Sequence, residues 1–304
     1  MQSPKVSVVM ITYGHEKYIA QAINGVLMQE CDFEVELIIA NDCSPDKTDE
    51  VIQNILKNHP KTSWIKYKKH EKNLGMMPNF IFAMQQCKGA FVAMCEGDDY
   101  WTDPLKLQKQ VDFLEANSDY VLCFHPISIL KTNGEIVDDF ITKVPVNYET
   151  IETLARLGNY IHTPSVVFRN IIKEFPFEFS QSPIGDYFLY MMLAEHGKLK
   201  YLEEKMAVYR YGVGVHSGSS SLKHVISNLK LFTCLLSYLE ENDIKKIIFD
   251  RQLQSLSHLE KLIAKQYKGF FISNNLFFKT IKFVSYNYRQ PSKIINKIFF
   301  KIIK

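Results

Sequence analysis

The first hundred residues alternate between short apolar runs and amphipathic stretches. Lys5 to Tyr13 (KVSVVMITY) is almost continuously apolar and rich in valine, which predicts a parallel strand buried on both faces. Glu16 to Gln29 follows, with Ile19, Ala22, Ile23, Val26 and Leu27 at helical spacing. Val35 to Ala40 predicts a second strand, ending at Asn41-Asp42. Ser44-Pro45-Asp46 is a turn, and Thr48 is placed to cap a helix carrying Val51, Ile52, Ile55 and Leu56. Trp64 to Tyr67 predicts a third strand. Asn73-Leu74-Gly75 is a turn before a helix with Pro78 in its first turn, ending near Lys88-Gly89. Ala90 to Cys95 predicts a fourth strand. This alternation implies an α/β fold with a mainly parallel central sheet flanked by helices.

The pattern changes after residue 104. Leu105 to Asn117 predicts a helix and Tyr120 to Phe124 a strand. Ile127 to Leu130 and Ile136 to Phe140 flank Thr132-Asn133-Gly134 as a hairpin. Ser165 to Phe168 predicts a strand, and Asp186 to Glu195 a helix closed by Gly197. Leu199 to Leu202 and Met206 to Tyr209 predict short strands. Gly212 to Ser221 is a glycine- and serine-rich loop, and the chain beyond Leu222 reads as a helical extension.

Length and composition are those of a globular protein with a large core. Six scattered cysteines form no CxxC pair, which argues against a structural zinc site and suits a reducing, cytoplasmic setting. The N-terminus runs straight into a strand, so no signal peptide is expected. No apolar run approaches the roughly 20 residues of a spanning helix. Charge is unevenly placed. Of 36 basic and 33 acidic residues, ten basic and no acidic ones lie beyond residue 260, leaving the remainder acidic by seven.

The chemistry concentrates at predicted strand ends, where open parallel sheets bind their ligands. The apolar run Phe91 to Cys95 stops in Glu96-Gly97-Asp98-Asp99, three carboxylates in four positions. Like charges this close call for a cation, and oxygen ligands favour a hard ion such as Mg²⁺ or Mn²⁺ shared with a phosphate. A solvated acidic turn before a helix is the other reading. No GxGxxG follows the first strand and no GxxxxGK[ST] occurs, so neither glycine-built phosphate cradle is present.

Taken in order, Val6 to Tyr13, Glu36 to Ser44 with Asp46 and Thr48, Asn73-Leu74-Gly75, Asn79, Glu96 to Trp101, Gly185-Asp186-Tyr187, and Tyr201-Leu202 to Tyr209-Arg210 resemble a family 2 glycosyltransferase of the GT-A, Rossmann-like fold over about residues 4 to 217. The resemblance implies one α/β domain over 1–221, with a nucleotide-binding half (1–104) and an acceptor half (105–221), and a helical, basic extension over 222–304. It implies an inverting, metal-assisted hexosyl- or N-acetylhexosaminyltransferase that takes a nucleotide-diphosphate sugar, expected to be a UDP-sugar, to a hydroxyl of a glycan or lipid-linked acceptor in surface polysaccharide or lipopolysaccharide assembly. Donor contacts carry over to Thr12, Tyr13, Asp42, Asn73, Gly75, Asn79, Glu96, Gly97 and Asp98, with Asp42 at the base. Glu96, Asp98 and Asp99 match the family's DxD-type motif. Whether Asp98 or Asp99 is the main metal ligand stays open, since both registers fit.

Asp186 corresponds to the catalytic base, with a plain helix cap as the alternative. Family members often read Tyr-Arg-x-His after the last strand. Here that place is Gly212, and His216 lies four residues later, either joining the metal or standing in an exposed loop. His162 lies where the family lines its acceptor cleft, though a core histidine bonded to backbone is the plainer reading. The basic, aromatic tail beyond Lys261 has the composition of an amphipathic helix lying at the inner face of an anionic membrane; packing on the catalytic domain is the equal alternative. No nucleic-acid module accompanies it. A non-catalytic nucleotide-sugar-binding or scaffold protein is the rival reading of the whole chain.

Overall fold

The strand Val35–Asn41 is buried at every position and Val6–Thr12 at all but one, which happens only when both faces of a sheet are covered. The computed structural model describes residues 3–214 and 221–266. In chain order the elements are β1 (Val6–Thr12), α1 (Ile19–Leu27), β2 (Val35–Asn41), α2 (Thr48–Asn58), β3 (Ile65–Lys69), α3 (Met76–Gln85) and β4 (Phe91–Met94). Then come β5 (Tyr100–Trp101), α4 (Lys106–Ala116), β6 (Tyr120–Phe124), β7 (Ser128–Leu130), β8 (Ile136–Asp138), α5 (Ile151–Leu157) and β9 (Val167–Arg169). The last are α6 (Phe177–Gln181), α7 (Gly185–Ala194), β10 (Lys198–Tyr201), β11 (Ala207–Arg210), α8 (Ser221–Tyr238) and α9 (Asn242–Gln266).

Seven strands form one sheet in the order β10-β6-β9-β4-β1-β2-β3, parallel except for β9. A second sheet, β5-β11-β7-β8, carries the predicted hairpin. This is the expected α/β architecture with a mainly parallel sheet. The core of the large sheet joins Val8, Met10, Ile23, Leu37, Ile39 and Ala93 in one cluster with Trp101. β1, β2, β4 and β6 all point the same way, so Thr12, Asp42, Glu96 and His125 emerge at one edge.

Several local expectations change. Thr48 is not the cap of α2. It is the first helical residue, and its hydroxyl donates to Asp46 Oδ1 (2.6 Å) while accepting the His15 N–H (2.9 Å). The helix predicted from Glu16 begins at Ile19, because the N–H groups of Gly14, His15 and Glu16 are taken by Ser44, Thr48 and Asp46. The segment Ser44 to Thr48 is thus a clamp that shapes the loop after β1. β5, α5 and α6 lie in stretches too short or irregular for a periodic signal.

Contacts divide the chain into two compact units, one running through residue 180 and resuming at 185, the other built on the C-terminal helices with 181–184. In the second, α8 and α9 form an antiparallel pair that buries Val225 and Leu229 against Leu256. Among the described residues no helix is long and apolar enough to cross a membrane. His216 and the tail beyond residue 266 lie outside the described residues.

Candidate active site

Thr12 ends β1, Asp42 follows β2, and Glu96 and Asp98 follow β4 on either side of Gly97, which is not part of the wall. Together they wall one cleft of about 250 Å³ with Tyr13, Asn73, Gly75, Asn79 and Tyr209. Sequence proximity could not have joined them; the parallel order of β4, β1 and β2 does.

The acidic turn is tightly built. One carboxylate oxygen from each of Glu96, Asp98 and Asp99 lies within 4.8 Å of the others. Gly97 sits between them because a side chain will not fit: a Cβ there would stand 2.7 Å from Thr12 Oγ1 and 2.9 Å from His15 Nδ1. Asp99 is 1% exposed. Its Oδ1 accepts the Arg210 N–H at 2.9 Å, while Oδ2 is buried with no hydrogen-bond partner. Burial pushes the Asp99 carboxyl well above the usual range, helped by the charges of Asp98 and Glu96 and opposed by Arg210. Glu96, half-buried, is pushed up to about 8 by burial and then by Asp98 and Asp186. Three crowded carboxylates with an orphaned buried oxygen are what an oxygen-ligated divalent cation would relieve.

His15 was not singled out by the sequence. Its Nδ1 lies 3.1 Å from Thr12 Oγ1 and its Nε2 3.9 Å from Asp98 Oδ2. Burial lowers its affinity for a proton, with Asp98 and Asp46 acting the other way. Nothing local marks it, since its role depends on β4 delivering Asp98 alongside β1. Arg210 lies between the rings of Tyr18 and Tyr100, with its carbon centre 4.9 and 4.8 Å from their centroids, and reaches Gln21.

Asp42 is 3% exposed and holds a loop. Its Oδ1 accepts the Leu74 N–H (2.7 Å) and its Oδ2 the Gly75 N–H (2.9 Å), just before α3. Gly75 has φ +91°, a conformation other residues reach only under strain. Each Asp42 oxygen accepts one of these bonds and has capacity for a second, and Asp42 lines the cleft. An Asp42→Ala substitution takes the acceptor from the Leu74 N–H and leaves the Gly75 N–H with Asn73 Oδ1, at about 1–3 kcal/mol for the one left unsatisfied. The urea midpoint is expected to fall with an unchanged slope. Asn79 is committed as well: Nδ2 donates to the Ala40 carbonyl at 3.0 Å and Oδ1 meets His70 Nε2 at 2.9 Å. Asn73 Oδ1 accepts the Gly75 N–H at 3.0 Å.

Asp186 lies in the first turn of α7, inside the helix rather than at its cap. Asn159 Nδ2 donates to its Oδ2 at 2.9 Å and the Tyr187 N–H to its Oδ1 at 2.7 Å. It does not line the cleft, but its charge reaches Glu96 and also the buried Tyr190 one turn along α7. Gly185 lets α7 approach α3, since a Cβ there would stand 2.8 Å from Met77 Sδ. His162 is not a core histidine bonded to backbone. Its Nε2 pairs with Asp139 Oδ2 at 2.9 Å and its ring packs on Tyr209 at 5.4 Å.

The model of the family described as glycosyl transferase family 2 matches residues 7–175, more than half of the chain. An uncharacterized protein of Mycobacterium tuberculosis is 35% identical over 207 residues, which cover 67% of this chain and 58% of that protein's length. An uncharacterized glycosyltransferase of Nostoc is 29% identical over 226 residues, covering 71% of this chain and 68% of that protein. Among solved structures, S. aureus TarS in complex with UDP-GlcNAc has a TM-score of 0.61 at 20% identity, over 89% of this chain and 77% of TarS. The mannosyltransferase of Pyrobaculum calidifontis in complex with GDP-Man and Mn²⁺ has a TM-score of 0.62 at 14% identity, over 98% of this chain and 84% of that one. The two structures share the fold, and the sequence match carries the kinship. With more than half its length matched by one family model, the chain belongs to glycosyl transferase family 2.

Proposed function

We propose that the cleft binds a nucleotide-diphosphate sugar and that the protein transfers its sugar to an acceptor hydroxyl with inversion. The observation that carries this reading is the gathering of Asp42, Glu96 and Asp98 around one cavity, with the charge of Asp186 reaching Glu96. Two proteins of the same fold are described with nucleotide sugars, one with UDP-GlcNAc and one with GDP-Man. A UDP-sugar is the donor we favour, with the remaining lone pairs of Asp42 accepting the base's ring N–H.

In this scheme Asp186 takes the proton of the acceptor hydroxyl as that oxygen attacks the anomeric carbon. The bond from that carbon to the diphosphate breaks, and the nucleoside diphosphate departs from the opposite side. Asn159 and the Tyr187 N–H hold the Asp186 carboxylate in a fixed orientation, which matters because proton transfer needs hydrogen-bond reach. Asp98 and Asp99, with Glu96 beside them, would hold Mg²⁺ or Mn²⁺, and His216 is a further candidate ligand. When bound, such a cation neutralises charge on the departing diphosphate. The acceptor is a glycan or lipid-linked hydroxyl, and the basic tail from Lys261 onward is a candidate for bringing the enzyme to a membrane surface, with packing on the catalytic domain as the alternative.

Thermal melts test the donor side. UDP is expected to raise the melting temperature with Mn²⁺ present, and excess EDTA is expected to remove most of that gain. UDP stabilisation that ignores EDTA, together with full transfer activity in EDTA, would take the cation out of the scheme.

A further inference from the structure

The loop after β1 brings a nitrogen to the acidic turn. His15 lines the donor cleft together with Glu96 and Asp98, whereas Asp99 does not line it and gives its Oδ1 to the Arg210 N–H. The backbone of His15 is fixed on both sides. Its N–H donates to Thr48 Oγ1 at 2.9 Å, and its carbonyl accepts the N–H groups of Tyr18 and Ile19, each at 2.9 Å. The ring is fixed too. Nδ1 lies 3.1 Å from Thr12 Oγ1, and the ring meets that of Tyr18 edge-on at 6.5 Å. This places Nε2 at 3.9 Å from Asp98 Oδ2.

That separation is too long for a hydrogen bond. An imidazolium paired with the carboxylate would close to about 2.7–2.9 Å. It suits two ligands of one ion instead. Atoms that each stand about 2.1 Å from an octahedral cation are about 3.0 Å apart on adjacent corners and about 4.2 Å apart on opposite ones. The 3.9 Å between His15 Nε2 and Asp98 Oδ2 falls inside those bounds, so a cation enters with shifts of a few tenths of an ångström. The other ring nitrogen is also provided for. A histidine that ligates through one nitrogen donates the N–H of the other to an acceptor, which fixes its tautomer and aim. Thr12 Oγ1 is that acceptor here.

A nitrogen ligand changes which ion the site takes. Mg²⁺ is hard, holds to oxygen ligands and keeps its waters, whereas a first-row transition ion gains from an imidazole. We propose that His15 is a ligand, through Nε2, to the cation of the donor cleft, and that it tilts the site from Mg²⁺ towards Mn²⁺. Asp98 and His15 then grip the ion from the ends of β4 and β1, with the diphosphate completing its shell. This inference rests on the donor reading, because it needs a cation beside Asp98.

Pulsed electron paramagnetic resonance on the full chain loaded with Mn²⁺ and UDP tests it. The echo is expected to carry the modulation of a directly bound imidazole nitrogen. That modulation is expected to vanish in His15→Gln and to persist in His216→Ala. Calorimetry in the presence of UDP gives a second readout. His15→Gln is expected to weaken Mn²⁺ binding at least about tenfold and Mg²⁺ binding no more than about twofold, a split that a merely structural role would not produce. The wild-type echo needs no variant, so the test survives if His15→Gln fails to fold. Bound Mn²⁺ without imidazole modulation overturns the proposal and leaves the donor reading standing. Modulation lost in His216→Ala but kept in His15→Gln, or equal losses of Mn²⁺ and Mg²⁺ affinity, does the same. No Mn²⁺ binding at all, with UDP still bound, would bring down this ligand and the cation of the donor reading together.

Discussion

An Asp186→Asn variant is expected to bind the donor as the wild type does and to lose about 10²- to 10⁴-fold of its turnover, the usual contribution of general-base assistance. That is about 3–5 kcal/mol of transition-state stabilisation. The amide fills the same volume and keeps an oxygen for the Tyr187 N–H, so the fold is expected to persist. Asp186 lies outside the donor lining, which is why affinity for the nucleotide sugar is expected to survive while catalysis fails. Released nucleotide measured at saturating donor reports the loss, and calorimetry reports the donor affinity. An Asn159→Ala variant is expected to fall in the same direction by a smaller factor, since Asn159 orients the base without touching the reacting atoms. Near-normal turnover in Asp186→Asn would mean that another group takes the proton.

The second large effect concerns stability. Lys106 is fully buried, with Nζ 4.2 Å from the centroid of the Trp101 ring and donating to Gln110 Oε1 at 2.6 Å. Burial pushes its ammonium down to about 7 from its ordinary 10.5. Between those values the unfolded chain holds a proton that the folded chain does not, so stability rises with pH there and the burial cost is fully felt at and below pH 7. The rise is expected to approach about 1.4 kcal/mol per pH unit. Above about pH 9 the buried thiols of Cys95 and Cys123, whose pKa values are raised by burial, oppose it. Lys106→Met removes the titrating group while keeping most of the apolar stem. Urea unfolding at pH 7 and pH 9 is expected to show the wild type gaining stability on the order of 2–3 kcal/mol more than the variant. Equal gains in the two proteins would show that Lys106 is ionised and accommodated in the fold.

The alternation of strands and helices was legible because both-face burial leaves a continuous apolar run, and a half-buried helix leaves a 3.6-residue period. β1, β2 and β4 carried that mark, and their parallel pairing then placed Asp42 beside Glu96 and Asp98 without further information. Short elements carried no such mark. β5 is two residues long and owes its existence to pairing with β11, about a hundred positions later. α5 has a Thr150 cap and a glycine after its last turn, signals present in the chain but too brief to stand out. Thr48 shows a different limit: its type suggested a cap, and the neighbouring loop after β1 claimed its hydroxyl instead.

Chemistry carried by adjacent residues, such as the three carboxylates after β4, could be read along the chain because their mutual repulsion is local and demands an answer whatever the fold. Contacts between distant positions could not. The Arg210 N–H on Asp99, His15 beside Asp98 and the unpaired nitrogen of His125 depend on which strand ends meet at one edge, and the Asn159 amide on Asp186 on how α7 packs beside the loop after α5. No residue period encodes those meetings. They follow from burying the sheet on both sides, which sets the strand order and so decides which polar groups are left facing one another.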